Sequence, residues 1–199
     1  MGYVKLVMFF VDVGENNGYF TLLASKLVGD EGKVLSIEAN PTAFSGLCRN
    51  IELNDIKNVN ALNVAVSNYN GVANIYLDLD SEDGLATIVG GYHHNKISEV
   101  RCFKISSLLG NMVPNIIKLD IEGSEISVIE SLLDDGVKPE YIIMEFNSEY
   151  QTKAQFDWLI KNFRIFLLES NSANVQLIPI FEYKDLHLSL ANFLLIPIN

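Results

Sequence analysis

The sequence FVDVGENNGYFTLLASKLVG, from Phe10 to Gly29, contains the features that decide the fold. An apolar run leads to an aspartate, a short loop with two glycines follows, and the residues after the loop have the spacing of an amphipathic helix. The loop glycines are spaced G-x-x-x-G, whereas dinucleotide-binding loops are spaced G-x-G-x-x-G. The stretch therefore predicts a buried strand, a ligand-binding turn and a helix, in that order.

Length, composition and charge restrict the class of protein. The 199 residues suit a single domain over residues 1–199 with a complete core, and a hydrophobic content of 49% excludes a disordered chain. The net charge of -11, without a dense Lys/Arg cluster, argues against a surface that binds nucleic acid or anionic membranes. No apolar run reaches the roughly 18–20 residues of a membrane span, and the first run lacks the charged leader of a signal peptide.

The two cysteines, Cys48 and Cys102, predict a reducing compartment and therefore a cytoplasmic protein, because they make no disulfide framework. Neither has a neighbour pattern typical of metal ligands, so the cysteines predict no metal centre. Cys48 falls on the apolar side of a predicted helix, which indicates a structural role in the core.

Strand and helix patterns alternate along the first third of the chain. Apolar runs bounded by turn residues predict strands, and apolar residues at helical spacing predict helices between them. A β-α-β-α-β order implies a parallel sheet with right-handed crossovers. The predicted elements are a strand over Tyr3–Val13, a helix over Gly18–Val28 with Phe20, Leu23, Ala24 and Leu27 inward, a strand over Lys33–Ala39, a helix from Pro41 capped by Asn40 with Phe44, Leu47, Cys48 and Ile51 inward, and a strand over Val59–Val66.

The rest of the chain is less regular in its middle. Asn70 and Gly71 form a turn signal, and the polar segment 78–99 has several glycines and no clear period, which predicts a functional lid or acceptor loop. We predict about seven sheet strands in an open, doubly wound α/β architecture, mostly parallel, with helices on both faces and an antiparallel last strand. The remaining predicted strands are Ala73–Leu77, Val100–Ile105, Asn115–Ile121, Glu140–Phe146, Arg164–Leu168 and Ala191–Ile196, and the remaining helices are Ser106–Leu109, Ser124–Leu133 and Gln155–Phe163.

The loop Gly14–Gly18 predicts the ligand-binding edge of this sheet. Ligands of open α/β sheets bind outside the carboxyl ends of the strands, and the free N–H groups of the following helix favour a negatively charged group. Glu38 ends the second predicted strand, roughly 20 residues past the loop, where an acid can accept hydrogen bonds from both ribose hydroxyls. These residues predict an adenosine-type ligand and leave NAD open as an alternative. No G-K-[ST] loop is present, so ATP chemistry of the P-loop kind is not expected.

Four motifs in order resemble the FkbM-type S-adenosylmethionine-dependent methyltransferases. They are VDVGENNGYFTLLASKLVG, VLSIEANP, RNIELNDIKNVNALNVAVSN and IIKLDIEGSEISVIES, and the resemblance runs from Val11 to about Phe146. The combination is specific, whereas the glycine loop alone would not be. The resemblance implies a Rossmann-like methyltransferase sheet, S-adenosylmethionine as cofactor, and methyl transfer to an oxygen of a sugar or another small molecule.

The resemblance also implies roles for individual residues, in three groups along the predicted pocket. The residues that would line the methionine portion of the cofactor are Asp12, Gly14, Glu15, Asn16 and Gly18; those near its ribose and adenine are Glu38, Ala39, Asn40, Ala65, Val66 and Ser67; and those that would face the methyl group and the acceptor are Asp120, Glu122 and Gly123.

Two positions depart from the family pattern. Glu15 stands where family members have a small residue, and Asn17 stands at an aliphatic position. A carboxylate at Glu15 would repel the cofactor's own carboxylate unless its side chain points to solvent. The neighbouring pair Tyr19 and Phe20 is expected in the core rather than as a stacking platform.

A hydroxyl acceptor must lose its proton as it is methylated, and the sequence offers four candidate bases: Asp120, Glu122, His93 and His94. Strand alternation would point Asp120 and Glu122 to the same side, and two neighbouring carboxylates would separate their pKa values. The pair could instead bind a divalent cation such as Mg²⁺. The two histidines lie in the predicted lid and are equally compatible with an exposed loop.

Three further titratable residues are compatible with structural roles. Glu145 ends a predicted strand, where it could touch the acceptor or pair with a neighbour. Glu125 is expected to stabilise the first turn of a helix, and His187 is expected at the surface or in the core.

The sequence thus predicts an S-adenosylmethionine-dependent O-methyltransferase that acts on a small molecule or a glycan and has no nucleic-acid partner. Two alternatives stay open: a non-catalytic domain that binds the cofactor, and a NAD-dependent oxidoreductase.

Overall fold

The computed structural model describes residues 7–77, 86–89, 96–171, 174–186 and 190–198. Its elements follow the predicted alternation in the first third of the chain, and strands become more frequent after that. The helices are α1 (Tyr19–Val28), α2 (Pro41–Leu53), α3 (Ile105–Leu109), α4 (Glu125–Asp134) and α5 (Lys153–Asn162). The strands are β1 (Phe9–Val13), β2 (Lys33–Ile37), β3 (Val59–Leu62), β4 (Ala65–Val66), β5 (Gly71–Leu77), β6 (Ala86–Thr87), β7 (Lys96–Phe103), β8 (Ile116–Leu119), β9 (Tyr141–Asn147), β10 (Phe163–Asn171), β11 (Asn174–Ile180) and β12 (Leu190–Pro197).

The main sheet has the strand order β11-β10-β12-β9-β8-β1-β2-β3. The strands from β3 to β9 in this order pair in parallel, whereas β12 runs antiparallel to β9 and β10, and β11 is antiparallel to β10. The prediction of a mostly parallel sheet with an antiparallel last strand is confirmed. The described sheet has eight strands rather than seven because β11 adds an edge strand. All residues of β11 except the last are exposed. The strand therefore lacks the alternation of buried and exposed residues from which a sequence pattern predicts a strand.

A second sheet, with the order β4-β7-β5-β6, includes residues 86–87 and 96–99 of the segment predicted as a lid. The predicted strand Val59–Val66 is divided between the two sheets, since β3 ends at Leu62 and Ala65 pairs with Cys102 of β7. Asn63 lies at the break, and its side-chain amide donates to the carbonyl oxygen of Glu38 at 2.8 Å. Residues 86–87 and 96–99 of that segment form strands rather than an irregular loop, and its role as a lid or acceptor loop stays a prediction. Residues 78–85 and 90–95 of that segment lie outside the described residues.

The core is centred on β1, β8 and β9, whose inward residues Val11, Ile117 and Ile142 are fully buried. An aromatic cluster extends it toward α5, where the rings of Phe146 and Phe156 meet edge-on with centroids 5.5 Å apart. The packing of these residues thus fixes the central strands, whose carboxyl ends form the edge of the sheet at which the sequence predicts a ligand. Among the described residues, no helix combines the length and the apolar character that crossing a bilayer requires.

The predicted inward face of α1 is wrong for Phe20, Leu23 and Leu27, whereas Ala24 is buried as predicted. Leu23 and Leu27 are 45% and 77% exposed, and Phe20 and the adjacent Tyr19 are exposed as well. The buried face contains Thr21, Ala24 and Ser25 instead. Polar bonding decides this rotation, because the Thr21 hydroxyl donates to the carboxylate of Asp12 at 2.7 Å on β1 and lies 2.6 Å from the Ser36 hydroxyl on β2. A buried carboxylate needs such a donor more than the helix needs to bury another leucine.

The predicted structural role of Cys48 is also wrong, because this residue is exposed on α2. The buried residues of α2 are Ala43 and Leu47, one position earlier in each turn than Phe44 and Cys48. The prediction is therefore right for Leu47, and the buried face of α2 is centred on Ala43 and Leu47 rather than on Phe44 and Cys48.

The orientation of α1 leads to a test with a matched pair of leucines. Leu27→Gln should change the free energy of unfolding by less than about 0.5 kcal/mol, because the side chain is already in water. Leu47→Ala should lower it by roughly 2–5 kcal/mol, because it removes a fully buried side chain. Urea unfolding of both variants checks this, and a loss above about 2 kcal/mol in Leu27→Gln would mean that α1 buries its leucine face.

Candidate functional site

The glycine loop between β1 and α1 packs directly against the end of β8. A Cβ atom at Gly14 would lie 1.8 Å from the carbonyl oxygen of Asp120, and the residue has a φ of +73°. Its N–H donates to the carbonyl of Ile37 at 2.9 Å, so the loop is also tied to β2. Only glycine permits this approach and this conformation together. The loop is thereby fixed where β1, β2 and β8 end.

Glu38 follows β2 and connects the glycine loop with the start of α2. One carboxylate oxygen accepts the N–H of Asn16 at 2.9 Å, and the other accepts the N–H of Asn40 at 2.6 Å. Burial raises the pKa of Glu38, and the two backbone N–H groups counteract that shift. Each oxygen still has a lone pair with which a ligand hydroxyl could bond. The side chain of Asn40 caps α2 by accepting the N–H of Thr42.

A pocket of about 370 Å³ opens at this edge of the sheet, within the range typical of small-molecule sites. It is lined by eight residues that the sequence had assigned to the site: Gly14, Asn16, Glu38, Ala39, Ala65, Val66, Asp120 and Glu122. The lining residues that the sequence did not assign are mainly apolar: Val13, Ile37, Val64, Ile75, Ala86, Thr87, Ile88, Ile121 and Glu145. The predicted residues Asp12, Glu15, Gly18, Asn40 and Ser67 lie outside this lining.

Lys118 connects Asp120, which lines the pocket, with Asp12, which lies outside the lining. This lysine is 7% exposed, and its ammonium nitrogen lies 3.0 Å from a carboxylate oxygen of Asp120 and 3.9 Å from one of Asp12. It also lies 5.1 Å from the centroid of the Phe20 ring. Asp12 is fully buried, and burial raises its pKa while Lys118 and Thr21 oppose the shift. The sequence contained a signal for this lysine, because it is the one charge inside the apolar run NIIKL.

Three carboxylates, from Asp120, Glu122 and Glu145, offer oxygen atoms within 4.8 Å of one another. Among the described residues, they are the group that could hold a divalent cation through oxygen ligands. Strand alternation does not bring them together, since β8 ends at Leu119 and Glu122 has a φ of +55°. A left-handed backbone at Glu122 turns its side chain back toward Asp120 instead.

The crowding of these acids alters their proton affinity. Burial, followed by the charges of Asp120 and Glu122, raises the pKa of Glu145 to about 7. Burial and the charges of Asp120 and Glu125 also raise the pKa of Glu122. Glu145, for which the sequence left two roles equally open, thus lies in the pocket with a proton affinity suited to acid–base chemistry near neutral pH.

The second sheet supplies another wall of the pocket. The Thr87 hydroxyl donates to the carbonyl oxygen of Glu122 at 2.9 Å and accepts the N–H of Val89 at 3.0 Å. No pattern in the sequence singled out Thr87, because its role depends on pairing between β5 and β6. The predicted candidate bases His93 and His94 lie outside the described residues, as does His187.

Glu15 does not point to solvent. Its side chain is 5% exposed, and within the described structure neither carboxyl oxygen has a hydrogen-bond partner. Burial, and to a smaller extent the charges of Asp12 and Glu38, raises the pKa of Glu15 to about 9. The charge of Lys118 acts in the opposite direction. The carboxyl group is therefore neutral at pH 7. Glu15 therefore avoids repelling an anionic ligand group because its carboxyl group is protonated, and not because its side chain points to solvent.

The protonation of Glu15 predicts a pH-dependent stability. Between its ordinary pKa of 4.5 in the unfolded chain and about 9 in the folded protein, the folded state holds one proton more. The free energy of unfolding should therefore fall as pH rises through that range, with a contribution of up to about 1.4 kcal/mol per pH unit. Glu15→Gln should remove this contribution, so its stability relative to the wild type should increase with pH.

Urea unfolding at pH 5, 7 and 8.5 measures this difference, with the exposed Glu52→Gln as control. A constant stability difference between Glu15→Gln and the wild type at all three values would show that Glu15 is ionised in the folded protein.

Comparison with known proteins places this geometry in a family. The profile of the Methyltransferase FkbM domain matches residues 12–173. The curated protein Methyltransferase 1 of Beauveria bassiana (strain ARSEF 2860) is 28% identical over 152 residues, which are 64% of this chain and 59% of that protein. The chain thus spans about three fifths of the length of this relative.

Solved structures share the fold at low sequence identity. The methyltransferase FkbM from Methylobacillus flagellatus KT has a TM-score of 0.57 at 14% identity, with 96% of this chain and 45% of that chain covered. A SAM dependent methyltransferase from Aquifex aeolicus has a TM-score of 0.51 at 13% identity, with 96% and 81% covered. The fold is therefore that of the Rossmann-like methyltransferases. Because the matched profile includes the glycine loop, Glu38 and the segment after β8, the chain belongs to the FkbM methyltransferase family.

Proposed function

We propose that the protein transfers a methyl group from S-adenosylmethionine to a hydroxyl of a small molecule or glycan. The observation that carries the proposal is one pocket that joins the glycine loop and Glu38 to a wall of three carboxylates. The first part suits an adenosine-type cofactor, and the second suits an acceptor that must lose a proton. Membership of a methyltransferase family supports the reaction type.

The cofactor half of the pocket fits the chemistry of S-adenosylmethionine. The Glu38 carboxylate is positioned by two backbone N–H groups, so it can accept ribose hydroxyls without moving. Apolar side chains of Val64, Val66 and Ile75 offer a surface for the adenine ring. When bound, the cofactor supplies a methyl group activated on a positively charged sulfur. The neighbouring acids favour that positive charge, and the neutral Glu15 adds no repulsion toward the cofactor's carboxylate.

The acceptor half of the pocket orients the hydroxyl and takes its proton. Asp120 is held by Lys118, which stabilises it as a fixed acceptor of a hydrogen bond. Glu145, whose pKa is raised to about 7, can receive a proton near neutral pH, and the pKa of Glu122 is raised as well. Positioning supplies much of the rate in a methyl transfer. The main contribution of the protein to that rate is therefore to hold the hydroxyl between the fixed carboxylate of Asp120 and the carboxylate that takes its proton.

The charge of this wall restricts the acceptor. Carboxylates disfavour phosphate or carboxylate groups at the same place, so a neutral or cationic hydroxyl compound fits better than a nucleic acid. The overall charge of -11 acts in the same direction. Methyl transfer from labelled S-adenosylmethionine can be measured with three sets of acceptors: neutral sugars, amino sugars and phosphorylated sugars. We expect activity with the neutral or amino sugars. Activity with the phosphorylated sugars alone would contradict the proposal.

The cofactor assignment predicts the effect of Glu38→Ala. This change should weaken binding of S-adenosylhomocysteine by roughly 1–3 kcal/mol, because hydrogen bonds to a charged group are lost. Calorimetry measures it, with Glu52→Ala as a control on an exposed part of α2. Wild-type protein that stays folded but gives heat with NAD and none with S-adenosylhomocysteine would favour the oxidoreductase alternative.

The acceptor assignment predicts the effect of Asp120→Asn. Affinity for S-adenosylhomocysteine, whose sulfur is uncharged, should stay within about threefold of the wild type, whereas turnover should fall at least about tenfold, because the acceptor hydroxyl loses its hydrogen bond to a charged, fixed carboxylate. Single-turnover methyl transfer and calorimetry separate the two quantities. Full turnover in Asp120→Asn would exclude a role for this carboxylate, and loss of turnover with EDTA would assign the three carboxylates to a cation instead.

A further inference from the structure

Glu125 begins α4, but its carboxylate bonds to the loop before the helix. The residue is 1% exposed, and one of its oxygens accepts the N–H of Ile121 at 2.9 Å. The N–H of Gly123 lies 3.1 Å from the other oxygen and 3.3 Å from the first. These donors flank Glu122 on both sides. The carboxylate therefore fixes the backbone that turns Glu122 into the pocket.

Gln151 connects this carboxylate to a second loop. Its side-chain amide nitrogen donates to Glu125 at 2.6 Å, and its amide oxygen accepts the N–H of Asn147 at 2.5 Å. Asn147 is the last residue of β9 and lies two positions after Glu145. Gln151 is 3% exposed, so the connection is shielded from water. The loop after β8 and the end of β9 are thus joined by one buried polar chain.

The two connected segments carry the acids that crowd the acceptor wall. Asp120 and Glu122 lie in the first segment and Glu145 lies in the second. Carboxylates within 4.8 Å repel one another, and Glu122 and Gly123 both have a positive φ, so the wall does not assemble by itself. A tie between the segments is the physical requirement for keeping the three carboxylates together.

We propose that Glu125 and Gln151 act as positioning residues that hold Asp120 and Glu122 against Glu145. This inference rests on the proposed methyl transfer for its functional meaning, but the geometry that it describes can be measured without an acceptor. An acid that only stabilised the first turn of α4 would need neither burial nor a partner on another loop.

Exchanging the two residues provides a sharp test. In Glu125→Gln, residues 125 and 151 both carry amides, and in every orientation of these two amides one N–H group faces another N–H group. In Gln151→Glu, the carboxylates of residues 125 and 151 are in contact. The double variant E125Q/Q151E restores the bond between the two side chains, because the amide of residue 125 donates to the carboxylate of residue 151, which also accepts the N–H of Asn147. The amide oxygen of residue 125 still accepts the N–H of Ile121 and keeps the 3.3 Å contact with the N–H of Gly123, and only the 3.1 Å contact with Gly123 is lost. Glu149→Gln, on the same loop and exposed, is the control.

The readout is the titration of the Glu145 carboxyl group. Carbon NMR measures it on protein with labelled glutamate carboxyl groups, in buffer that contains EDTA. The Glu145 signal is identified as the one that is missing from the spectrum of Glu145→Gln. In the wild type and in Glu149→Gln, this carboxyl should titrate at about 7. In each single exchange its pKa should fall by at least about one unit, because a loosened wall exposes Glu145 to water and increases its distance from Asp120 and Glu122. The double exchange should return the pKa to the wild-type value.

The outcomes separate the two proposals. Single exchanges that lose stability in urea but leave the Glu145 titration unchanged would overturn the positioning role. If the single variants do not fold, a folded double variant with an ordinary Glu145 pKa would overturn it as well. Calorimetry with S-adenosylhomocysteine on the same proteins tests the proposed function by itself, because absence of heat in the wild type would contradict cofactor binding while the titration result stands.

Discussion

The absence of a side chain at Gly14 is the constraint on which the site depends. The loop after β1 touches the carbonyl of Asp120, so the glycine turn and the segment that carries Asp120 and Glu122 are in direct contact. Any larger residue would separate β1 from β8 at their carboxyl ends and widen the pocket. Because β8 is also bounded by β9, the same contact sets the place of Glu145. One backbone approach thereby assembles residues from three strands.

Burial of charge is the second organising feature, and each acid is stabilised differently. Asp12 has a hydroxyl donor and a nearby lysine, Glu38 has two backbone N–H groups, and Glu125 has three donors from two loops. Glu15 has no donor in the described structure and is neutral instead. Replacing buried charges by apolar residues is often neutral or stabilising, so a fold that keeps so many acids at one edge does so at a cost to stability. Acids with perturbed pKa values that cluster in a cleft are typical of functional sites.

The sequence predicted the features that depend on local pattern and missed those that depend on tertiary bonding. The alternation of strands and helices, the glycine loop and the position of Glu38 follow from periodicity and spacing. The face of α1 was wrong because the Thr21 hydroxyl is drawn to Asp12, a contact between residues on different elements. Lys118 could have been found as a charge inside an apolar strand. Thr87 could not, since its place depends on a short strand pairing in the second sheet.

The segment LDIEGSE shows why spacing alone was insufficient at the acceptor side. Alternation along a strand would place Asp120 and Glu122 on one side, and they do converge, but the cause is a left-handed turn and not a strand. Gly123 permits that turn and packs against Tyr150, where a Cβ atom would lie 2.9 Å from the tyrosine's own. Glu125 then bonds back across the turn. Asp120, Glu122, Gly123 and Glu125 work as one unit, because the Glu125 carboxylate holds the N–H groups on both sides of Glu122 and thereby its backbone conformation.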